Sequence, residues 1–160
     1  MGSLNRPFVL RLCYNKGMKQ VELAYLAGII DGEGCISFAR RLKKYITPTL
    51  QVTNTNRDLI DWLHVCLGGN VYRRKDDRPT RKESWLWSVA GQKALLIIRD
   101  IRPYLLVKRK QADIVLALPR YAPGRDKSGR LQTRMTEADH RANSLAVETI
   151  RALNRRGRLP

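Results

Sequence analysis

Long apolar runs and paired cysteines are both scarce in this chain of 160 residues. The longest uninterrupted apolar stretch covers residues 23–30, far short of the roughly 18 residues that a membrane-spanning helix needs. The apolar residues between 8 and 14 are interrupted by Arg11 and are too few for the core of a secretion signal. The cysteines are odd in number and lack C-x-x-C spacing, which disfavours a disulfide framework or a zinc site: Cys13, Cys35 and Cys66. We therefore expect an intracellular protein that is not secreted and has no membrane partner.

Several common catalytic signatures are also missing. The chain contains no G-x-x-x-x-G-K-[ST] phosphate loop, no G-x-S-x-G nucleophile turn and no H-E-x-x-H metal motif. Its two histidines, His64 and His140, stand far apart. Cysteine nucleophile chemistry therefore has no clear partner histidine, and the candidate chemistry must rest on other residues.

Acidic residues are few compared with basic ones. The chain has 14 Asp and Glu residues and 31 Lys and Arg residues, which gives a formal net charge of +17. The basic residues are spread from Arg6 to Arg158, and 43% of the chain is hydrophobic, so the charge belongs to the surface of a folded domain. A polyanion is the expected partner, and nucleic acid is favoured over an anionic membrane.

The hydrophobic pattern predicts an α+β domain. Alternation with period two predicts hairpins over residues 35–53 and 70–89, and the tip of each, at 40–44 and 75–83, is basic. Pro48 in the first hairpin suggests an edge strand or a bulge. Helical spacing predicts helices at 21–31, 55–67, 92–101, 110–118 and 136–154. Thr55 with Asp58, and Thr136 with Asp139, resemble capping boxes at the starts of the second and the last of these helices. We divide the chain into an N-terminal arm (1–20), a single domain (21–154) and a basic tail (155–160). Four strands with helices on one face leave a polar face that suits a nucleic-acid duplex groove.

The helix predicted at 21–31 has two unusual features. Ala24, Gly28 and Gly32 recur every fourth residue, so small side chains form a stripe that allows another backbone to approach closely. The stripe is compatible either with packing on this chain's own sheet or with a helix of a second copy. Glu33 follows between Gly32 and Gly34, and a metal ion is the natural partner for a carboxylate placed at the end of a buried helix.

Residues 26–34, Leu-Ala-Gly-Ile-Ile-Asp-Gly-Glu-Gly, resemble the signature of the LAGLIDADG homing endonucleases. Tyr25 before this motif and Cys35-Ile36-Ser37-Phe38 after it also match, as do segments at 50–55, 69–71, 85–89 and 103–112. The resemblance covers roughly residues 23–118. It implies the family fold, a four-stranded antiparallel saddle-shaped sheet with helices packed on one face.

The resemblance also implies a function. The family members are intron-encoded, site-specific DNA endonucleases that make a metal-dependent double-strand break by phosphodiester hydrolysis. Because the chain contains one motif, the resemblance implies a homodimer on a long pseudo-palindromic duplex, with Ala24, Gly28 and Gly32 at the dimer interface. The main alternative is an intron maturase, an RNA-binding splicing factor on the same scaffold, with intron RNA as its partner. A basic ribosomal RNA-binding protein and a DNA-binding regulator without catalysis are further alternatives.

Site residues follow from the same resemblance. Glu33 and the main-chain carbonyl of Gly32 would bind the metal, for which Mg²⁺ is preferred because it needs few carboxylates. Asn54 would orient water, and Lys108 would lie beside the scissile phosphate, although a solvated or phosphate-contacting lysine is equally compatible with its neighbours Arg109 and Lys110.

The motif departs from the commoner family pattern at several positions. Glu33 replaces the more common Asp, and Asn54 is shorter than the Gln of some members. Asp58 stands about where certain members carry an active-site Arg, with Arg57 one position away. Asp31, two residues before Glu33, is expected to be structural.

DNA contacts are predicted for side chains on the polar face and for basic residues near it. The predicted DNA-binding residues are Ser37, Ala39, Arg41, Lys43, Lys44, Tyr45, Thr47, Thr49, Gln51, Tyr72, Arg74, Ser84, Leu86, Ser88 and Lys110. Trp85 and Trp87 alternate with these residues and are expected to lie in the core rather than to stack on bases.

Overall fold

The computed structural model describes residues 18–41, 45–74, 82–118, 128 and 135–155. The strands and helices, in chain order, are α1 (Gln20–Glu33), β1 (Gly34–Arg41), β2 (Tyr45–Asn54), α2 (Arg57–Leu67), β3 (Asn70–Arg74), β4 (Ser84–Ala90), α3 (Gln92–Ile101), a 3₁₀ turn (Arg102–Tyr104), α4 (Arg109–Ala117) and α5 (Glu137–Arg155). The predicted α+β class and both hairpins are confirmed. Most of the predicted arm, Lys43, Lys44 and the tail beyond 155 lie outside the described residues.

The four strands form one antiparallel sheet in the order β1-β2-β4-β3. Gly34 pairs with Val52, and Val71 pairs with Trp87. Pro48 led us to expect an edge strand or a bulge in this hairpin, but β2 is a central strand without a bulge at Pro48, which pairs with Phe38. The proline is tolerated because the ladder between β2 and β4 begins only at Thr49, so β4 requires no donor from Pro48.

One face of the sheet forms the hydrophobic core. Alternation along the strands directs Ile36, Leu50, Val52, Trp87 and Val89 to this face, and all five are buried. The helices cover it with buried residues at helical spacing, among them Leu26, Ala27 and Ile30 of α1, Ile60 and Leu63 of α2, and Ile97, Ile98 and Ile101 of α3. The opposite face is thereby left for polar side chains.

α5 packs along the edge strand β1, and its Ile150 joins the hydrophobic core. It contacts β1 and α4, and the Asn154 side chain donates a hydrogen bond of 3.1 Å to the carbonyl of Ile36 in the edge strand. The start of α5 is confirmed, since Thr136 and Asp139 each accept a hydrogen bond from the other's backbone N–H. A helix along β1 satisfies an edge carbonyl that would otherwise face solvent.

Two predicted helix features are corrected by the structure. The predicted N-cap of α2, Thr55, is wrong, because the side chain of Asn56 accepts the hydrogen bond from the Leu59 N–H. The helix predicted at 21–31 is apolar nearly all round, yet α1 buries only one face, and Val21 and Tyr25 on the other face are 80% and 57% exposed. Within the described ranges, no helix is both long and apolar enough to cross a membrane.

Trp87 links β4 to the turn that follows α2. Its ring is fully buried, and its Nε1 donates a 2.7 Å hydrogen bond to the carbonyl of Gly68. Gly68 and Gly69 have φ of 62° and 91°, and a Cβ on Gly69 would lie 2.4 Å from a methyl group of Val89. The turn is therefore held by glycine conformation and by one buried indole.

We expect Trp87→Phe to lower the free energy of unfolding by about 2–3 kcal/mol, because it removes ring volume and leaves the Gly68 carbonyl without its donor. Trp85→Phe, on the same strand and only half-buried, serves as the control and should cost less than about 1 kcal/mol. Urea unfolding followed by circular dichroism measures both, and equal losses would contradict this role for Trp87.

Candidate nucleic-acid interface and metal site

The face of the sheet opposite the core carries most of the residues predicted to bind DNA. Strand register places the following residues on this open face: Ser37, Ala39, Tyr45, Thr47, Thr49, Gln51, Tyr72, Arg74, Ser84, Leu86 and Ser88. Arg41 pairs with Tyr45 in the strand register, whereas Lys110 lies outside the sheet, exposed in the first turn of α4. The sequence pattern thus brings together one continuous polar surface, although Lys43 and Lys44 lie outside the described residues.

Hydrogen bonds between strands connect the polar side chains of this face. The Ser37 and Thr49 hydroxyls are 2.8 Å apart, and the Thr49 hydroxyl also donates to the Ser37 carbonyl at 3.1 Å. The Gln51 amide donates to the Ser88 hydroxyl at 3.4 Å. Thr49 is only 6% exposed, so its hydroxyl is poorly accessible to a ligand. It orients the Ser37 side chain instead. These contacts hold hydrogen-bonding groups in place before a partner arrives.

Glu33 lies at the carboxyl end of α1, where the helix turns into β1 without a loop. Its side chain is exposed, and within the described ranges it forms neither a hydrogen bond nor an ion pair. The last carbonyls of a helix carry partial negative charge, so the unpartnered carboxylate and the exposed Gly32 form an oxygen-rich place that suits a hard cation.

The donor set of a single chain at this place is small. In the described part of the chain, no three His, Cys, Asp or Glu residues come together as a metal site. A cation that accepts one or two carboxylates and keeps its waters fits this arrangement, whereas an ion that needs an all-protein cage does not.

Lys108 is held at the same end of α1. Its ammonium donates a hydrogen bond of 2.5 Å to the main-chain carbonyl of Asp31, two residues before Glu33. The Asp31 carboxylate accepts hydrogen bonds from the N–H groups of Leu106 and Lys108, at 2.7 and 2.9 Å. Two of the predicted catalytic residues, Glu33 and Lys108, are therefore brought to one helix end.

Asn54 is placed at the same end of the sheet by register, because Gly34 at the start of β1 pairs with Val52, two residues before Asn54. Its side-chain oxygen accepts a 2.8 Å hydrogen bond from the Asn56 N–H, so this oxygen shapes the turn into α2. Arg57, the cation beside Asp58, bonds to Asp61 at 2.8 Å and lies over the ring of Trp85. The Arg57 cation is thus engaged on the surface of α2.

Asp31 has a structural role, as predicted from the sequence, because its carboxylate accepts hydrogen bonds from two backbone N–H groups of a distant segment. An acid in the last turn of a helix is unfavourable to the helix dipole, so its presence calls for donors supplied from elsewhere. An acidic residue at this end of a helix therefore indicates a tertiary contact. The sequence does not identify the partners, Leu106 and Lys108, which lie 75 and 77 residues further along the chain.

An ion pair supports the segment just before Lys108. Arg102 in the 3₁₀ turn bonds to Asp113 in α4 at 2.8 Å, and this hydrogen bond, with the nearby positive charge, lowers the pKa of Asp113 below its ordinary value. The pair joins the two elements that flank residues 105–108.

The small-residue stripe of α1 is exposed. Ala24, Gly28 and Gly32 all face solvent, and a Cβ added at either glycine would meet no atom within 4 Å. Of the two packing alternatives open at the sequence level, contact with the chain's own sheet is therefore excluded for the described residues.

No protein-family model and no curated protein matches this chain. Solved structures do resemble it. One is the homing endonuclease I-CvuI in complex with its target in the presence of Ca, with a TM-score of 0.64 and 23% identity, covering 84% of this chain and 82% of that one. A second I-CvuI complex, with the I-CreI target and Mg and with the DNA not cleaved, gives a TM-score of 0.61, 22% identity and the same coverage.

The I-LtrWI LAGLIDADG homing endonuclease bound to target DNA is also similar. Its TM-score is 0.56 at 21% identity, and the match covers 83% of this chain but 45% of that one. This chain therefore spans under half the length of I-LtrWI and most of the length of I-CvuI. These similarities establish the fold.

Proposed function

We propose that this chain, which has the fold of the LAGLIDADG homing endonucleases, is a site-specific DNA endonuclease that acts as a homodimer and needs a divalent cation. The observation that carries the proposal is the placement of an exposed, unpartnered Glu33 and a fixed Lys108 at one helix end, where β1 of the open polar sheet begins. A binding protein without catalysis would need only the sheet face.

Double-stranded DNA is the partner that the open face favours. The major groove of B-DNA admits a β-ribbon, and the alternating polar side chains can read base edges there. The net charge of +17 supplies the attraction to phosphates. I-CvuI and I-LtrWI are described as bound to DNA targets, which supports DNA over RNA and gives the maturase alternative no support.

A second copy of this chain is the proposed occupant of the exposed face of α1. Ala24, Gly28 and Gly32 would let the two α1 helices approach closely, and Val21 and Tyr25 would lose their exposure. A twofold axis along this seam would bring the two Glu33 carboxylates near each other and two sheets onto one duplex. The expected target is a long pseudo-palindrome, and each copy would cut one strand.

Glu33 and the carbonyl of Gly32 are the proposed ligands of the cation, and we propose Mg²⁺ because it accepts few protein ligands. The I-CvuI complexes are described in the presence of Ca or of Mg, which supports a divalent ion of this class. When bound, such an ion polarises the phosphate and lowers the pKa of water.

The chain's own groups supply the remaining chemistry. The Lys108 ammonium has two N–H donors left after its bond to Asp31, and these would stabilise the charge that develops on the scissile phosphate. The Asn54 oxygen is occupied by the turn, so its Nδ2 would donate to the attacking water or to a phosphate oxygen. The negative charge of the Glu33 carboxylate would bind the cation.

We expect Glu33→Gln to lower the single-turnover cleavage rate by about 100-fold or more, while DNA binding stays nearly unchanged. Glutamine keeps the size of the side chain but loses the charge. Glu22→Gln, the same change in the first turn of α1, is the matched control. Gel shift and Mg²⁺-dependent nicking of a duplex selected from a randomised pool provide the readouts. Full cutting by Glu33→Gln would remove this residue from the mechanism, and a wild type that never cuts would contradict the endonuclease proposal.

We expect Gly28→Val to convert the dimer into a folded monomer, because the side chain would separate the two α1 helices while meeting no atom of its own chain. Ala152→Val, at an exposed position of α5, controls for the effect of valine on a helix surface. Sedimentation velocity with and without DNA distinguishes the two states. A wild type that sediments as a monomer in both conditions would overturn the dimer.

We expect Arg74→Ala to weaken DNA binding by about 5- to 100-fold and to reduce the slope of log affinity against log salt by about 1. Arg99→Ala removes the same charge from α3, beyond the core face, and should change affinity by less than about twofold. Fluorescence anisotropy over a salt series measures both. Equal effects of the two changes would show that the open face does not contact DNA.

A further inference from the structure

We infer that Asp31 is a positioning residue that fixes the Lys108 ammonium next to the metal-binding end of α1. The inference rests on the proposed function for its link to cleavage. Its structural basis is the set of three hydrogen bonds between Asp31 and the segment 106–108, which involve both carboxylate oxygens and the main-chain carbonyl of Asp31.

Apolar packing contributes little to holding residues 106–108. Leu105 is fully buried, but Leu106 and Val107 are 81% and 70% exposed, so apolar packing ends just before Lys108. The backbone there belongs to neither the 3₁₀ turn nor α4, and the N–H groups of Leu106 and Lys108 find their acceptors in the Asp31 carboxylate. Without that carboxylate, these two donors lose their protein partner and the segment is free to shift.

Asp31 is not arranged as a second metal ligand. One carboxylate oxygen accepts from Leu106 and the other from Lys108, whereas the Glu33 carboxylate makes no such bond within the described residues. The two acids of the motif thus have separate tasks. Glu33 is available for a cation, and Asp31 holds the cationic side chain nearby.

Asp31→Asn tests this separation. The substitution keeps the size but replaces one acceptor oxygen by an amide group whose hydrogens oppose a backbone donor. We expect the single-turnover cleavage rate to fall at least about tenfold, since a misplacement of about 1 Å can have such an effect. The Kd for DNA and the Mg²⁺ concentration that gives half the maximal rate should stay unchanged.

A double variant separates positioning from general damage to the fold. If Asp31 acts through Lys108, then Asp31→Asn should have no further effect on the rate in a Lys108→Ala background. Asp100→Asn is the matched control, because it removes an exposed carboxylate from the last turn of α3 without contacting residues 105–108. A further loss in the double variant, or an equal loss in the control, would overturn the positioning role.

Chemical labelling tests the position of Lys108 without using cleavage. We expect Asp31→Asn to raise the acetylation rate of Lys108 by acetic anhydride severalfold relative to the exposed Lys93, as measured by mass spectrometry. Unchanged labelling would overturn the inference even if cleavage fell. If the wild-type protein cuts no DNA but labelling rises as expected, the proposed function fails while the placement of Lys108 by Asp31 stands.

Discussion

α1 passes into β1 without an intervening loop, and this junction depends on the close contact between Gly34 and Ile30. A Cβ at Gly34 would lie 2.7 Å from the Cα and the carbonyl oxygen of Ile30, although the backbone there is extended and requires no left-handed conformation. The glycine is needed for space. Because the helix turns at once into the sheet, Glu33 is fixed at the boundary between them, and the core face and the open face diverge from this point.

The open face of the sheet, the carboxyl end of α1 and the exposed surface of α1 are connected through this junction. The same strand that begins at Gly34 continues through Ser37, which is tied to Thr49 across the sheet. Side chains that are already hydrogen-bonded lose little further freedom when they meet a ligand. A duplex on the open face would therefore meet a surface whose geometry is largely set by the fold, with the reacting groups held at its end.

The sequence predicts the elements and their faces well because both depend on local periodicity. The alternation in β1 and β2, and in β3 and β4, places the same residues on the same face as the observed register does. The central position of Pro48 was missed because it depends on where β4 ends, which is a tertiary fact. Asn56 replaces Thr55 as a cap because the two neighbours have similar intrinsic preference, and the path of the turn after Asn54 decides between them.

The candidate site can be predicted from the sequence only in part. The motif marks Glu33, but the attachment of Lys108 to Asp31 joins residues 77 positions apart, and no periodicity encodes it. The exposure of Gly28 and Gly32 also depends on how the core face of α1 is filled. Composition predicts a nucleic-acid partner, whereas the arrangement of the reacting groups requires the fold.

The two outer strands of the sheet are protected from unwanted association in different ways. α5 packs along β1, and Asn154 occupies one of its carbonyls. β3 ends in the exposed Arg74, so a second β3 edge approaching it would meet like charge. The proposed dimer pairs through the exposed face of α1, and in the described part of this molecule a helix covers one sheet edge and charge protects the other. In such a dimer, association would be restricted to a single, symmetric contact, which closes on itself and does not extend into fibres.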